Sequence, residues 1–140
     1  MRRIVIVTAE RILPNVASNI GTKLALAPAV QAATIKGETV DTTGFGSIAF
    51  VVNTGAIAGD GDFTAKIQES DTTTDGDFTD VVAAHLVGDL PAALAASTVY
   101  KQSYIGHKQY VRVVLTKNSG TSIAAGAVAV LGHANVRPVA

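Results

Sequence analysis

Alternating apolar and polar positions become regular near residue 46 and recur in short runs toward the end of the chain. Residues 46–53 are apolar on both faces, which is typical of a central strand that is covered on both sides. Residues 62–70 alternate cleanly, with Phe63, Ala65 and Ile67 on the inner face. This period of two predicts a half-exposed antiparallel strand.

Further strands are predicted by similar runs at residues 78–82, 99–104, 110–117 and 123–132. Between them, residues 83–98 are rich in Ala, and Asp89 and Pro91 predict one short helical turn with Asp89 as its cap. No predicted helix is long enough to connect parallel strands. The pattern therefore predicts an all-β fold, an antiparallel β-sandwich of jelly-roll-like topology.

The first 40 residues lack this regularity. They contain two prolines and an Ala-rich run at 24–34, and residues 4–7 are a short strand signal. Such a segment indicates an extended N-terminal arm, or a first strand reached through one. We therefore divide the chain into an arm or first strand over 1–40 and a β-sandwich domain over 41–140.

The composition limits both the core and the partners. Aromatic residues make up 5% of the chain and Trp is absent, so small and β-branched side chains must fill the core. The absence of Cys excludes disulfides and cysteine metal sites. The formal net charge is zero, and no stretch approaches the roughly 18 continuous apolar residues of a membrane span. We therefore expect neither nucleic acid nor membrane as a partner.

Zero net charge hides an asymmetry along the chain. Residues 60–89 hold eight acidic residues and one basic residue, whereas residues 90–140 hold five basic residues and no acidic one. This distribution predicts an acidic side and a basic side. These are either two solvated surfaces or a docking face for an oppositely charged partner or sibling subunit.

The sequence DGDFT occurs twice, at residues 60–64 and 75–79. Asp-Gly is a strong turn signal, so each copy predicts a turn that leads into one of two neighbouring strands. Clustered aspartates are also typical of calcium loops. The weak metal candidates are Asp60, Asp62, Asp75 and Asp77. The EF-hand pattern fails because Val82 stands where a bidentate Glu is required, so the turn interpretation is favoured and no cofactor is expected.

No pattern typical of an enzyme occurs. The three His are separated by more than five residues, and the sequence has no nucleophile elbow, dinucleotide loop or Walker loop. A catalytic acid and base pair of carboxyl groups needs two clearly different pKa values. The carboxylates of this chain cluster in turns, where screening by water opposes such a difference. We therefore expect no catalytic and no cofactor-binding residues.

Tyrosines and basic residues supply the candidate docking positions. Tyr100 and Tyr104 share a strand face, where they could form a sugar-stacking platform, cover the sheet or enter a subunit contact. The expected partner-docking residues are Arg2, Arg3, Arg11, Tyr100, Tyr104, Lys108 and Arg112.

Several segments together resemble small structural proteins of tailed bacteriophages and prophages, of the kind that accompany the major capsid protein. The segments are 43–55 (TGFGSIAFVVNTG), 61–71 (GDFTAKIQESD), 78–81 (FTDV), 104–116 (YIGHKQYVRVVLT) and 127–132 (AVAVLG). The resemblance covers roughly residues 40–133.

The resemblance implies a head decoration or cement protein that is made in the host cytoplasm and sits on the capsid exterior. Its implied partners are the major capsid protein and further copies of itself. The alternative that the same resemblance allows is a head-fibre base or a tail structural protein. A host-surface carbohydrate-binding module on the same sandwich is a further alternative.

Overall fold

The computed structural model describes residues 12–139. In this range the chain forms strands β1 (Gly21–Gln31), β2 (Ile35–Lys36), β3 (Val40–Asp41), β4 (Phe45–Ala58), β5 (Asp62–Ser70), β6 (Thr79–Asp80), β7 (Leu86–Gly88), β8 (Val99–Tyr104), β9 (Tyr110–Ser119) and β10 (Ser122–Ala134). Short 3-10 turns occupy Ala17–Asn19, Asp75–Asp77 and Ala83–His85. The predicted strand at residues 4–7 lies outside the described residues.

The strands form two antiparallel sheets. The first sheet has the order β1-β10-β4-β8-β7, and the second has the order β2-β9-β5-β6, with β3 also paired to β9. The pairing is nested along the sequence: β1 pairs with β10, β2 and β3 with β9, β4 with β8, and β5 with β6. This nesting of strand pairs from two sheets is the jelly-roll arrangement. The predicted antiparallel β-sandwich is confirmed.

The core lies between the inner faces of the sheets. Its largest side chains include Phe50 on β4 and Phe63 on β5, both fully buried. Beside Phe50 in the first sheet, β10 contributes small residues, Ala125, Ala127 and Ala129, which are also buried. Large and small side chains therefore alternate within the core, which is how a core with few aromatics reaches close packing.

The segment before residue 41 is largely part of the sandwich. Strand β1 pairs along β10 from Gly21 with Leu131 to Gln31 with Ile123, and Val40 is buried. A boundary between 40 and 41 would cut strand β3. Of the two forms predicted for this segment, residues 21–31 take that of a first strand. Pro28 is tolerated there because β1 is an edge strand.

Two local predictions are corrected. The helical turn expected after Asp89 is absent; within residues 83–98 the chain forms the Ala83–His85 turn and β7, and residues 92–95 hydrogen-bond to distant groups instead of to each other. Leu94 then packs into the core, and its N–H donates to the Phe63 carbonyl at 3.0 Å. Strand β4 is central, but its outer face is not covered by another described element, since Val51 is half-buried.

Candidate functional site

The outer face of the second sheet carries a polar cluster centred on Arg112. Its Nε and Nη2 donate to Gln68 Oε1 at 3.0 and 2.8 Å. Its Nη1 donates to Asp75 Oδ1 at 2.6 Å, and its guanidinium carbon lies 4.0 Å from the centre of the Phe78 ring. Lys36 Nζ contacts Asp75 Oδ2 at 2.9 Å. Hydrogen bonds from Lys36 and then Arg112 lower the pKa of Asp75.

The Arg112 side chain is consequently committed to contacts within its own chain. Its side chain is 6% exposed, and the cation stacked on Phe78 is shielded from water. Arg112 lies next to Val111 and Val113, which point into the core, so it occupies the outward side of β9. A buried guanidinium that needs these partners is poorly placed to dock another molecule.

Other ion pairs cross between the acidic and basic parts of the sequence. Lys108 Nζ, from the basic part, lies 2.6 Å from Asp71 Oδ2, from the acidic part. This contact and the Arg112–Asp75 pair form because β9, from the basic part, pairs with β5, from the acidic part. Within the acidic part itself, Lys66 Nζ lies 3.1 Å from Asp80 Oδ1, because β5 pairs with β6. The predicted acidic and basic sides are therefore interleaved on one sheet, where their charges compensate each other.

The tyrosines on β8 face inward. Tyr104 is 5% exposed, and its hydroxyl donates to Glu69 Oε2 of the second sheet and accepts from the Lys108 N–H at 2.9 Å. Burial, followed by the hydrogen bond to Glu69, raises the pKa of Tyr104 to about 12. The Tyr100 hydroxyl accepts from the Ala95 N–H at 2.9 Å. Because both rings pack against the core, neither offers the open ring face that sugar stacking needs.

Both DGDFT copies form turns, as predicted. At the first copy, Gly59, which precedes it, and Asp60 have φ values of +56° and +54°, and the Gly61 N–H donates to the Ala58 carbonyl at 3.2 Å. Two successive positive φ values produce the tight reversal that leads into β5. The second copy forms the Asp75–Asp77 turn before β6, and β5 and β6 are neighbours. Phe78, however, lies over Arg112 instead of in the main core.

The weak metal candidates are divided between these two turns. The Asp75 carboxylate forms ion pairs with Lys36 and Arg112, and the Asp77 carboxylate accepts a hydrogen bond from Thr72 at 2.6 Å. Within residues 12–139, no three His, Asp or Glu side chains are grouped closely enough to hold a metal ion.

The histidines make two contacts that the sequence did not indicate. Ser47 Oγ and His133 Nδ1 are 2.8 Å apart, and the rings of His85 and His107 meet edge to face at 6.0 Å. Within the described chain, no carboxylate is hydrogen-bonded to any of these three imidazoles. An oriented catalytic triad is therefore not assembled at these positions.

A different surface stands out on the first sheet. Its outer face presents a row of exposed or half-buried apolar side chains, which we call the apolar face: Leu24, Val30, Val51, Val87, Val99 and Val128. The exposed fraction is 70% for Val30 and 67% for Val99. The five strands contain no acidic residue, and Lys101 is the one Lys or Arg on their outward side. Exposed apolar area of this extent usually marks an interaction surface.

The apolar face is not flat: it has a ridge and, next to it, a depression. Leu24, Val128 and Val51 are aligned across three strands and form a ridge. The adjacent outward position on β10 is Gly126, beside a depression of about 340 Å³ whose floor includes Gly55 and Ala124. Pro28 approaches Gly126 so closely that an added Cβ would lie 3.0 Å from the proline Cα.

The sequence indicates the apolar face only in part. The apolar character of residues 46–53 on both sides predicts a covered strand and not a docking surface. The apolar run at 123–132 suits either a core strand or a subunit contact, and the structure gives it one side in the core and one side on the apolar face. Of the predicted docking residues, Tyr100, Tyr104, Lys108 and Arg112 make intramolecular contacts, and Arg2, Arg3 and Arg11 lie outside the described residues.

Comparison with known proteins adds little to this picture. No protein-family model matches the chain, and no curated protein matches it. A structure of infectious bursal disease virus, Gx strain, is similar over 85% of this chain and 33% of that chain, with a TM-score of 0.41 and 17% sequence identity. The chain thus spans about a third of that protein's length. No conclusion about this chain rests on so distant a similarity. In the described range, no helix has the length and apolar character to span a bilayer.

Proposed function

We propose that this protein is a non-enzymatic structural component of a bacteriophage virion, most specifically a capsid decoration or cement protein. The observation that carries the proposal is the apolar face. A five-stranded sheet that exposes several Val side chains and Leu24 is characteristic of a protein that works within an assembly.

Two further observations support the proposal. Jelly rolls are frequent in viral shells, although lectins and other proteins share this fold. The sequence resemblance to small phage structural proteins covers roughly residues 40–133, which includes β4 to β10 apart from the last residue of β10. The carbohydrate-binding alternative loses its basis, because Tyr100 and Tyr104 pack against the core.

The proposed mechanism is stabilisation by mass action. A protein that binds the assembled shell but not its separated subunits shifts the equilibrium toward the shell. Each contact across a subunit junction can be weak, because many copies act on one particle. In this proposal the partner is the major capsid protein, and the protein is located on the virion exterior.

Cryo-electron microscopy of particles purified from cells that carry the gene tests this proposal. We expect density for the jelly roll outside the capsid floor, in contact with at least two capsid subunits. Particles from a strain with the gene deleted provide the control and should lack that density and disrupt at a lower temperature. Density confined to a tail or to one vertex would instead indicate a tail protein or fibre base. Absence from the particles would refute the virion role.

A further inference from the structure

We propose that the apolar face packs against the same face of a second copy of this chain, forming a two-fold symmetric dimer of stacked sheets. The inference concerns the free protein and names what covers the apolar face there, the same face that carries the proposed function. It follows from the area, charge and relief of the apolar face and from the form of the sheet edges.

The area is sufficient for a stable dimer. The first sheet contains strands of 11, 13, 14, 6 and 3 residues. With strands about 4.8 Å apart and a rise of about 3.4 Å per residue, they cover roughly 750 Å². A standard protein interface buries about 800 Å² on each partner. A face-to-face pair could therefore bury a standard interface without any further element.

The charge distribution favours a second copy over a charged partner. The outward side chains of β1, β4, β8 and β10 include one Lys or Arg, Lys101, and no acidic residue. A partner rich in charge would have to bury its own ions against apolar side chains without compensation. The same apolar face on a second copy avoids this cost. Lys101 belongs to a strand next to the sheet edge, from which its long side chain can reach water.

The relief of the apolar face is self-complementary. Val128 and Gly126 are consecutive outward-facing positions on β10. The ridge of Leu24, Val128 and Val51 therefore lies directly beside the depression at Gly126. An isologous dimer places each surface patch against its own symmetry mate. We place the two-fold axis in the plane of the interface, perpendicular to the strands and between the Val128 and Gly126 positions. Rotation about this axis sets the ridge of each copy over the depression of the other. The strands then remain nearly aligned, as in sheet-on-sheet packing.

The edges of the first sheet are poorly suited to pairing with another chain. Edge strand β1 contains Pro28 and two register irregularities, between Leu24 and Leu26 and between Leu26 and Ala29. The opposite edge, β7, is three residues long. Prolines, bulges and short edge strands discourage strand addition. Association through the sheet face is therefore favoured over association through its edges.

Sedimentation velocity over about 1 to 100 µM tests the proposal, because dimer population depends on protomer concentration. We expect twice the chain mass for the wild type. Val128→Glu places a carboxylate at the centre of the interface and should raise the dimer dissociation constant about 100-fold or more. Val82→Glu is the matched control, because Val82 is 57% exposed and lies outside the apolar face. It should leave the dissociation constant unchanged.

Cysteine cross-linking tests the face with a milder substitution. The natural chain has no Cys, so Val128→Cys introduces a single thiol. A short bismaleimide should join two Val128→Cys chains rapidly and two Val82→Cys chains slowly. A wild-type protein that stays monomeric at about 100 µM would overturn the proposal. So would a dimer that survives Val128→Glu and fails to cross-link at position 128. Neither result would bear on whether particles carry the protein.

Discussion

At the scale of single residues, polar side chains join the two sheets where the apolar core ends. Tyr104 extends from β8 across the sandwich to Glu69 on β5, and the Lys108 N–H donates to the same hydroxyl. The Tyr104 hydroxyl thus provides a hydrogen-bond partner for both the Glu69 carboxylate and the Lys108 N–H near the end of the core. A buried polar group that loses its partner costs more than the hydrogen bond contributed.

Tyr104→Phe removes this hydroxyl and keeps the ring. We expect the free energy of unfolding at neutral pH to fall by about 1–3 kcal/mol, because Glu69 and the Lys108 N–H lose a partner. Denaturant unfolding followed by circular dichroism measures the change. Tyr110→Phe is the control, since its hydroxyl makes no hydrogen bond in the described range. Equal losses in both variants would contradict the bridging role of Tyr104.

The same residue predicts how stability depends on alkaline pH. The pKa of Tyr104 is raised to about 12 in the folded protein, above its ordinary value near 10. Tyr104 therefore contributes stability that is fully present below about pH 10 and is lost as pH rises toward 12. We expect the wild type to lose more stability over this interval than Tyr104→Phe. If the free energy of unfolding fell equally with pH in the wild type and in Tyr104→Phe, a group other than Tyr104 would be responsible.

At the scale of elements, the small residues of β10 allow the sheets to approach. Ala129 is fully buried and pairs in register with Phe50 of β4. The inward positions of β10 alternate with Gly126, Val128 and Val130 on the outward side. One strand therefore supplies both small buried residues of the core and the middle of the apolar face.

Ala129→Leu tests this packing. The added side chain has no space between the sheets, so we expect a loss of about 1–3 kcal/mol in the free energy of unfolding. Ala56→Leu, at an exposed position of β4, should change it by less than about 0.5 kcal/mol. Thermal or urea unfolding of both variants provides the comparison. A neutral Ala129→Leu would mean that the core at this position has unfilled space.

At the scale of the whole molecule, the two outer surfaces differ in kind. The second sheet carries ion pairs of Lys36 and Arg112 with Asp75, and of Lys66 with Asp80. The first sheet carries the apolar face. The molecule is therefore amphipathic across its thickness, with one surface suited to water and the other to burial in an assembly.

The charged surface predicts a loss of stability in acid. Lys36 and Arg112 lower the pKa of Asp75, and hydrogen bonds from Gln68 and Lys66 lower that of Asp80. Carboxylates with depressed pKa values contribute stability that is present above their unfolded pKa, near 3.9, and is lost as pH falls through the folded value. We expect Asp75→Asn with Asp80→Asn to reduce the wild-type loss between about pH 4 and pH 2.

Equilibrium urea unfolding at several pH values measures this effect. Asp89→Asn is the control, because it removes an acidic residue that forms no ion pair among the described residues. An unchanged acid dependence in the double variant would mean that these ion pairs do not couple to folding.

Local patterns in the sequence were enough to locate most strands. The predicted strands at 62–70 and 99–104 match β5 and β8, because alternation and flanking turn residues depend on near neighbours alone. The turns at both DGDFT copies were likewise predictable, since Asp and Gly favour turns through local backbone preferences, although neither Gly61 nor Gly76 takes a positive φ. The prediction of a helical turn at Asp89 was wrong, because hydrogen bonds from Leu94 to Phe63 and from Ala95 to Tyr100 overrode a weak capping signal.

The sequence by itself thus determined an all-β sandwich with an Ala- and Val-rich core, because residue size and alternation are properties of the chain alone. The tertiary structure decided the role of β1, the direction of Tyr104 and the compensation of the acidic segment by the basic one. Each of these depends on which distant strands become neighbours. Long-range pairing also turned the doubly apolar β4 and β10 into an uncovered outer face, which neither run could reveal alone.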